Sequence, residues 1–157
     1  MNNDRGPSIT VISSISEVRG IIHTEVFKGS NNQETFLNFV RALRLKCRAR
    51  RCLVVMDNLR AHKASVMNTE WGPGFERLFL PPYSCALNPI ERLWSVIKNE
   101  WRRTCHIPNV VKATDEVIKE ASARIKALID NVDKDKQINI ARSHIKFMAR
   151  SLRGLLV

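Results

Sequence analysis

Cys52-Leu53-Val54-Val55-Met56-Asp57 is the stretch on which the fold turns. Five apolar residues run without a polar break and stop at an acid. A short unbroken run of this kind predicts a strand buried on both faces, as in a parallel sheet with helices on either side. Asp57 then stands at the strand's C-terminal end, the edge at which open α/β sheets carry their sites. Taken alone, Asp57-Asn58 reads first as an Asx-turn or a helix cap, the commoner fate of an Asp-Asn pair.

Downstream, Leu78-Phe79-Leu80 reads as a second apolar strand, ended by Pro81-Pro82, which cannot donate to a ladder. Asn88-Pro89-Ile90-Glu91 then opens a helix, with Asn88 as N-cap, Pro89 at the first helical position and Glu91 three residues past the cap, a capping box. Leu93, Trp94, Ile97 and Trp101 follow at helical spacing. Upstream, Ser8 to Ile15 and Ile21 to Phe27 are β-branched runs that predict an antiparallel hairpin turning across Ser16 to Gly20. Asn31 or Asn32 can cap a helix that begins near Glu34, carries Phe36, Leu37, Phe39, Val40 and Leu43 on one face, and fades near Lys46. Two helical patterns close the chain, from about Thr114 to Ile129 and from about Ile138 to Leu156, the second with Ile145, Met148, Leu152 and Leu155 on one face. The layout is mixed α/β.

At 157 residues, with 44% hydrophobic and 26% charged residues, the chain has the size and composition of one globular domain. No apolar run approaches the roughly 20 residues that span a bilayer, and the first residues carry no secretory pattern. Cys47, Cys52, Cys85 and Cys105 have neither C-x-x-C spacing nor disulfide-scaffold density, which reads as reduced thiols in a cytosolic or nuclear protein. The net charge of +11 and pI near 10.1 point to a polyanionic partner, nucleic acid first, with a basic organellar or ribosome-associated protein as the bland alternative. Residues 1 to 91 hold twelve basic and eight acidic residues, a net of +4; residues 92 to 157 hold fourteen and seven, a net of +7. Arg41, Arg44, Lys46, Arg48, Arg50 and Arg51 place six positive charges in eleven residues without an acid. Phosphate contact and simple solubility both account for that cluster.

Three blocks, taken together, resemble one family. Val54-Val55-Met56-Asp57-Asn58-Leu59-Arg60-Ala61-His62-Lys63, then Leu80-Pro81-Pro82-Tyr83-Ser84, then Leu87-Asn88-Pro89-Ile90-Glu91-Arg92-Leu93-Trp94-Ser95-Val96-Ile97-Lys98 occur in the order and at the gaps of the DDE transposases of the IS630/Tc1/mariner superfamily. The resemblance spans about residues 8 to 101. It implies an RNase H-like mixed sheet flanked by helices, and metal-dependent DNA cleavage and strand transfer. By position, Asp57 is the second catalytic acid and Glu91 the third, separated by positions 58 to 90, which are 33 residues. Both would hold Mg²⁺ or Mn²⁺ in a two-metal site, since hard cations prefer carboxylate oxygen. Asn58 and His62 match positions beside the site; His62 either orients it or bonds the loop. Arg44, Lys46, Arg48, Arg50, Lys63, Lys98, Arg102 and Arg103 are the candidates for DNA phosphates. Trp94 and Trp101 pack on the sheet or stack on bases.

The family's first acid lies on a central strand before the hairpin, and only seven residues precede the hairpin here. Asp4, between Asn3 and Arg5-Gly6-Pro7, has no apolar run around it. The expectation is therefore a domain lacking the first strand and first Asp, with residues 1–105 a partial DDE domain and 106–157 a helical extension packed on it. Such a sheet has unpaired edges and calls for a homodimer or a partner chain to supply the strand. Whether the chain is an enzyme stays open. A domesticated DNA- or protein-binding module without catalysis, and an RNase H-like nuclease on RNA or hybrids, are the alternatives; a membrane partner is not expected. The location implied is nuclear in a eukaryotic host and cytoplasmic otherwise.

Overall fold

The computed structural model describes residues 8–47, 51–58, 65–104 and 114–154. Arg48, Arg50, His62, Lys63, Cys105 and Asp4 lie outside them. The chain is mixed α/β, as expected.

The hairpin forms first. Strand β1 (Ile9–Ser16) pairs antiparallel with β2 (Gly20–Lys28), from Ile9 opposite Lys28 to Ser16 opposite Gly20. Ser14 faces His23 but Ile15 faces Ile21, so Ile22 is the extra residue of a bulge. Side chains alternate between faces with period two, and both faces are used. Ile12 and Ile22 pack under helix α1 (Gln33–Cys47), whose buried face is Phe36, Leu37, Phe39, Val40, Leu43 and Cys47. Val11, Ile15 and Ile21 pack on the opposite side against Leu93 and Ile97 of helix α2 (Pro89–Thr104) and Ile129 of α3 (Asp115–Asp130). The hairpin is thus the middle of three layers.

Asn32, rather than Asn31, caps α1. Its Oδ1 accepts from the Thr35 N–H at 2.9 Å, and the Thr35 hydroxyl accepts from the Asn32 N–H at 2.9 Å. The reciprocal pair satisfies two donors that the first turn leaves without partners. At the other end of the chain, α4 (Lys134–Gly154) docks on the hairpin turn. Gln137, 116 positions from Ile21, accepts its N–H at 2.7 Å and donates to the Val132 carbonyl at 2.8 Å. Gly20, with φ of 70°, lets the turn come this close.

Strand β3 (Cys52–Met56) pairs in parallel with β4 (Phe75–Phe79), Cys52 opposite Phe75 and Met56 opposite Phe79. β4 starts three residues before the apolar triplet and ends one before Leu80. Its polar residues hid it, since Glu76 points to solvent and Arg77 lies over the Trp71 and Phe79 rings at 5.6 and 5.4 Å. The expectation that β3 is buried on both faces fails. Cys52, Val54 and Met56 meet α1, but Leu53 is 59% exposed and Leu78 52% exposed on the other face. Among the described residues the two strand pairs share no ladder, and α1 is the element whose core cluster takes residues from both.

Candidate active site

Asp57 follows the last residue of β3 directly and is half-buried. Backbone and side-chain bonds fix its neighbours on both sides. The Leu80 N–H donates to the Met56 carbonyl at 2.8 Å, and the Asn58 side-chain amide donates to the Leu80 carbonyl. The C-terminal ends of β3 and β4 are stitched together around Asp57, so Asn58 acts beside the carboxylate by holding its backbone.

From the same edge the chain leaves β4 through Pro81-Pro82-Tyr83-Ser84. Tyr83 has φ of 59°, a left-handed backbone that a bulky residue adopts only under constraint. A single 3₁₀ turn at Cys85–Leu87 follows, closed by the Leu87 N–H to Ser84 and Asn88 N–H to Cys85 bonds, each 2.9 Å. Asn88 caps α2, but the expected capping box with Glu91 does not form: Asn88 Oδ1 accepts from the Ile90 N–H at 3.3 Å, its carbonyl accepts from the Glu91 N–H at 3.1 Å, and its own N–H is taken by the Cys85 carbonyl of the preceding turn. The Glu91 carboxylate is exposed on the first turn, where the positive end of the helix dipole favours an anion. Helix α4 braces this segment. The His144 Nε2–H donates to the Ala86 carbonyl, and Arg92 Nη1 donates to the Ser143 hydroxyl at 3.3 Å. His144 is 8% exposed and nothing in the sequence pattern singled it out.

The basic candidates meet different fates. Arg41 Nε donates to Oε1 of Glu70 at 2.9 Å, and Arg44 Nη1 stands 3.9 Å from Oε2. Glu70 is nearly buried, so part of the cluster's charge answers an acid of the same domain. Lys46 Nζ donates to His23 Nδ1 at 2.9 Å, which leaves the Nε2–H of the ring to donate to Glu25 at 2.9 Å. Lys46 also lines, with Arg19, Lys126 and Lys134, a cleft of about 860 Å³ between β2, the end of α1 and the α3–α4 turn. On α2, Lys98 is exposed, Arg102 Nη1 donates to Asn99 at 3.4 Å, and Arg103 forks onto Glu100 at 2.7 and 3.2 Å. That fork holds the Glu100 carboxyl below its usual range and raises the guanidinium of Arg103. Trp94 packs in the core between α2 and the hairpin, the packing role expected of it, and Trp101 is half-buried.

Asp57 and Glu91 supply the donor type that a hard divalent cation takes. Among the described residues, however, no group of three or more His, Cys, Asp and Glu is arranged to hold a metal ion. A complete site needs further carboxylate. None of the described helices is long and apolar enough to cross a membrane.

A mixed α/β layer, a parallel strand pair with an acid at its C-terminal edge, and a glutamate on the helix that follows are features of a carboxylate-based nuclease domain. The family model for the DDE superfamily endonuclease matches residues 2–112, well over half of the chain, and the chain belongs to that family. The matched region contains both Asp57 and Glu91; α3 and α4 lie beyond it. A comparison with curated proteins finds no match.

Proposed function

We propose that this chain is a DNA-cleaving domain of the IS630/Tc1/mariner transposase type, with Asp57 and Glu91 as its second and third acids and Mg²⁺ or Mn²⁺ as the metal. The observation that carries the reading is the stitched C-terminal edge of β3 and β4, from which one short proline-braced segment runs into the first turn of the Glu91 helix. Two carboxylates brought together at that edge would suit phosphoryl transfer, in which metal-bound oxygens flank the reacting phosphate. The RNase H-like reading is compatible with α1 packing on both strand pairs, between which no ladder runs among the described residues. A central strand carrying the first acid, contributed from beyond the described residues or by a second chain, would join them. The domain is therefore impaired when that strand is missing.

A second reading, a domesticated DNA-binding module, is favoured by the lack of a three-carboxylate cluster among the described residues together with the +11 charge. Nicking of supercoiled plasmid with Mg²⁺ or Mn²⁺ decides between them. The first reading expects metal-dependent nicking that Asp57→Asn and Glu91→Gln each abolish, and it is rejected if both variants nick as well as the parent. Salt-sensitive DNA binding without nicking supports the second.

A further inference from the structure

The cleft of about 860 Å³ between β2, the end of α1 and the α3–α4 turn is separate from the Asp57 edge, since among the described residues none of β3, β4 or α2 lines it. Its size falls within the roughly 300–1,000 Å³ of small-molecule sites. Long-range bonds hold its walls in place. Gln137 ties the hairpin turn to the α3–α4 turn, accepting from the Ile21 N–H at 2.7 Å and donating to the Val132 carbonyl at 2.8 Å. Arg19 Nη2 donates to the Lys46 carbonyl at 3.3 Å, which joins the same hairpin turn to the end of α1.

Three kinds of group meet in this cleft. Ile21, Ile22 and Val132 contribute apolar surface, and Arg19, Lys46, Lys126 and Lys134 bring four cations. Lys46 Nζ is engaged with His23 Nδ1 at 2.9 Å, whereas Lys126 and Lys134 are exposed and in no ion pair among the described residues. Two carboxylates stand beside them. Asp133 is committed to capping α4, its Oδ1 accepting the Lys136 N–H at 2.8 Å. Asp130, exposed at the end of α3, is in no ion pair among the described residues. A purely anionic ligand would gain from the cations but be repelled by Asp130. A ligand that carries both anionic groups and hydroxyl donors satisfies the whole set, because an ionised carboxylate only accepts hydrogen bonds. We propose that the cleft binds a free ribonucleoside polyphosphate. Its phosphates meet Arg19, Lys126 and Lys134, its sugar donates a hydroxyl to Asp130, and its base lies against Ile21, Ile22 and Val132. A carboxylate on a ribose hydroxyl is the means by which dinucleotide sites read that sugar.

The test is equilibrium dialysis of the full chain against radiolabelled ATP in EDTA, so that no metal site takes part, with inorganic triphosphate and a single-stranded oligodeoxynucleotide as competitors. The expected result is saturable binding that ATP displaces better than triphosphate does. Lys126→Ala and Lys134→Ala should each weaken ATP by about tenfold or more, the order expected when a hydrogen bond to a charged group is lost. Lys119→Ala, exposed on α3 outside the cleft, should leave binding unchanged. Asp130→Ala decides the ligand class by its sign: it should weaken ATP, which loses an acceptor, and strengthen triphosphate, which loses a repulsion. Absence of saturable binding at millimolar ATP overturns the proposal, as does a loss in Lys119→Ala equal to that in Lys126→Ala. Tighter ATP binding in Asp130→Ala, or triphosphate competing as well as ATP, would show that the cleft reads charge alone and also overturns it. An oligodeoxynucleotide that displaces ATP more tightly per phosphate would make the cleft part of a DNA surface, with the same consequence.

Discussion

Replacing Gly20 by alanine tests the joint between the hairpin and α4. Gly20 has φ of 70°, and a Cβ there would stand 2.4 Å from Gln137 Oε1 and 3.1 Å from its Cβ. Two costs follow. A side chain in the left-handed region costs about 1–2 kcal/mol. Pushing Gln137 aside strips the Ile21 N–H of its acceptor at 2.7 Å, a partly buried donor whose loss costs about 1–3 kcal/mol. Partial relaxation brings the sum to about 2–4 kcal/mol, against a total of about 5–15 kcal/mol for a domain. With a urea slope of about 2 kcal/mol per molar, the unfolding midpoint should fall by about 1–2 M. Gly29→Ala is the control, because φ there is 95° but nothing lies within 4 Å of the added carbon. It carries only the backbone cost of about 1–2 kcal/mol. A Gly20→Ala midpoint no lower than that of Gly29→Ala would refute the reasoning, as would full additivity with Gln137→Ala in a double-mutant cycle.

Glu70→Gln should destabilise the domain by about 1–2 kcal/mol in urea unfolding, because the nearly buried carboxylate loses its charge-assisted bond from Arg41. The same change frees Arg41 and Arg44, so DNA affinity at low salt should rise or hold while stability falls. Lys28 holds the Asp115 carboxyl, and Arg103 the Glu100 carboxyl, below their ordinary values of 3.8 and 4.5. Depressed carboxyls bind fewer protons in the folded state, so their contribution is present above those ordinary values and is lost as pH falls through the folded ones. Urea midpoints measured between about pH 6 and pH 3 should therefore drop less in Asp115→Asn and Glu100→Gln than in the parent; both pairs are exposed, so the effect is small and salt-sensitive.

Local pattern was enough for the hairpin, α1, α2 and the mixed α/β class, because each is announced by its own residues: β-branched runs, an asparagine cap, a proline after a cap. What the pattern hid depends on partners far away in sequence. β4 was masked by Glu76 and Arg77, whose places are decided by solvent and by the Trp71 and Phe79 rings. The apolar run of β3 implied two covered faces, yet α1 covers one and Leu53 and Leu78 stand open on the other. The arginine cluster read as free charge because Glu70 lies 29 positions from Arg41. Asp57 and Glu91 were legible as a pair only through motif order, since each alone fits a turn or a cap. Asn58 stitching β3 to β4, and His144 bracing the turn before α2, became visible only once the elements were packed.

The most direct test of the central claim is paramagnetic broadening of backbone amides by Mn²⁺. If Asp57 and Glu91 share a metal at one edge, substoichiometric Mn²⁺ should broaden Met56 to Asn58 and Asn88 to Arg92 together, and Asp57→Asn should abolish the effect in both segments. Broadening confined to one segment, or centred on surface acids such as Asp130 and Asp133 at the α3–α4 turn, would contradict it.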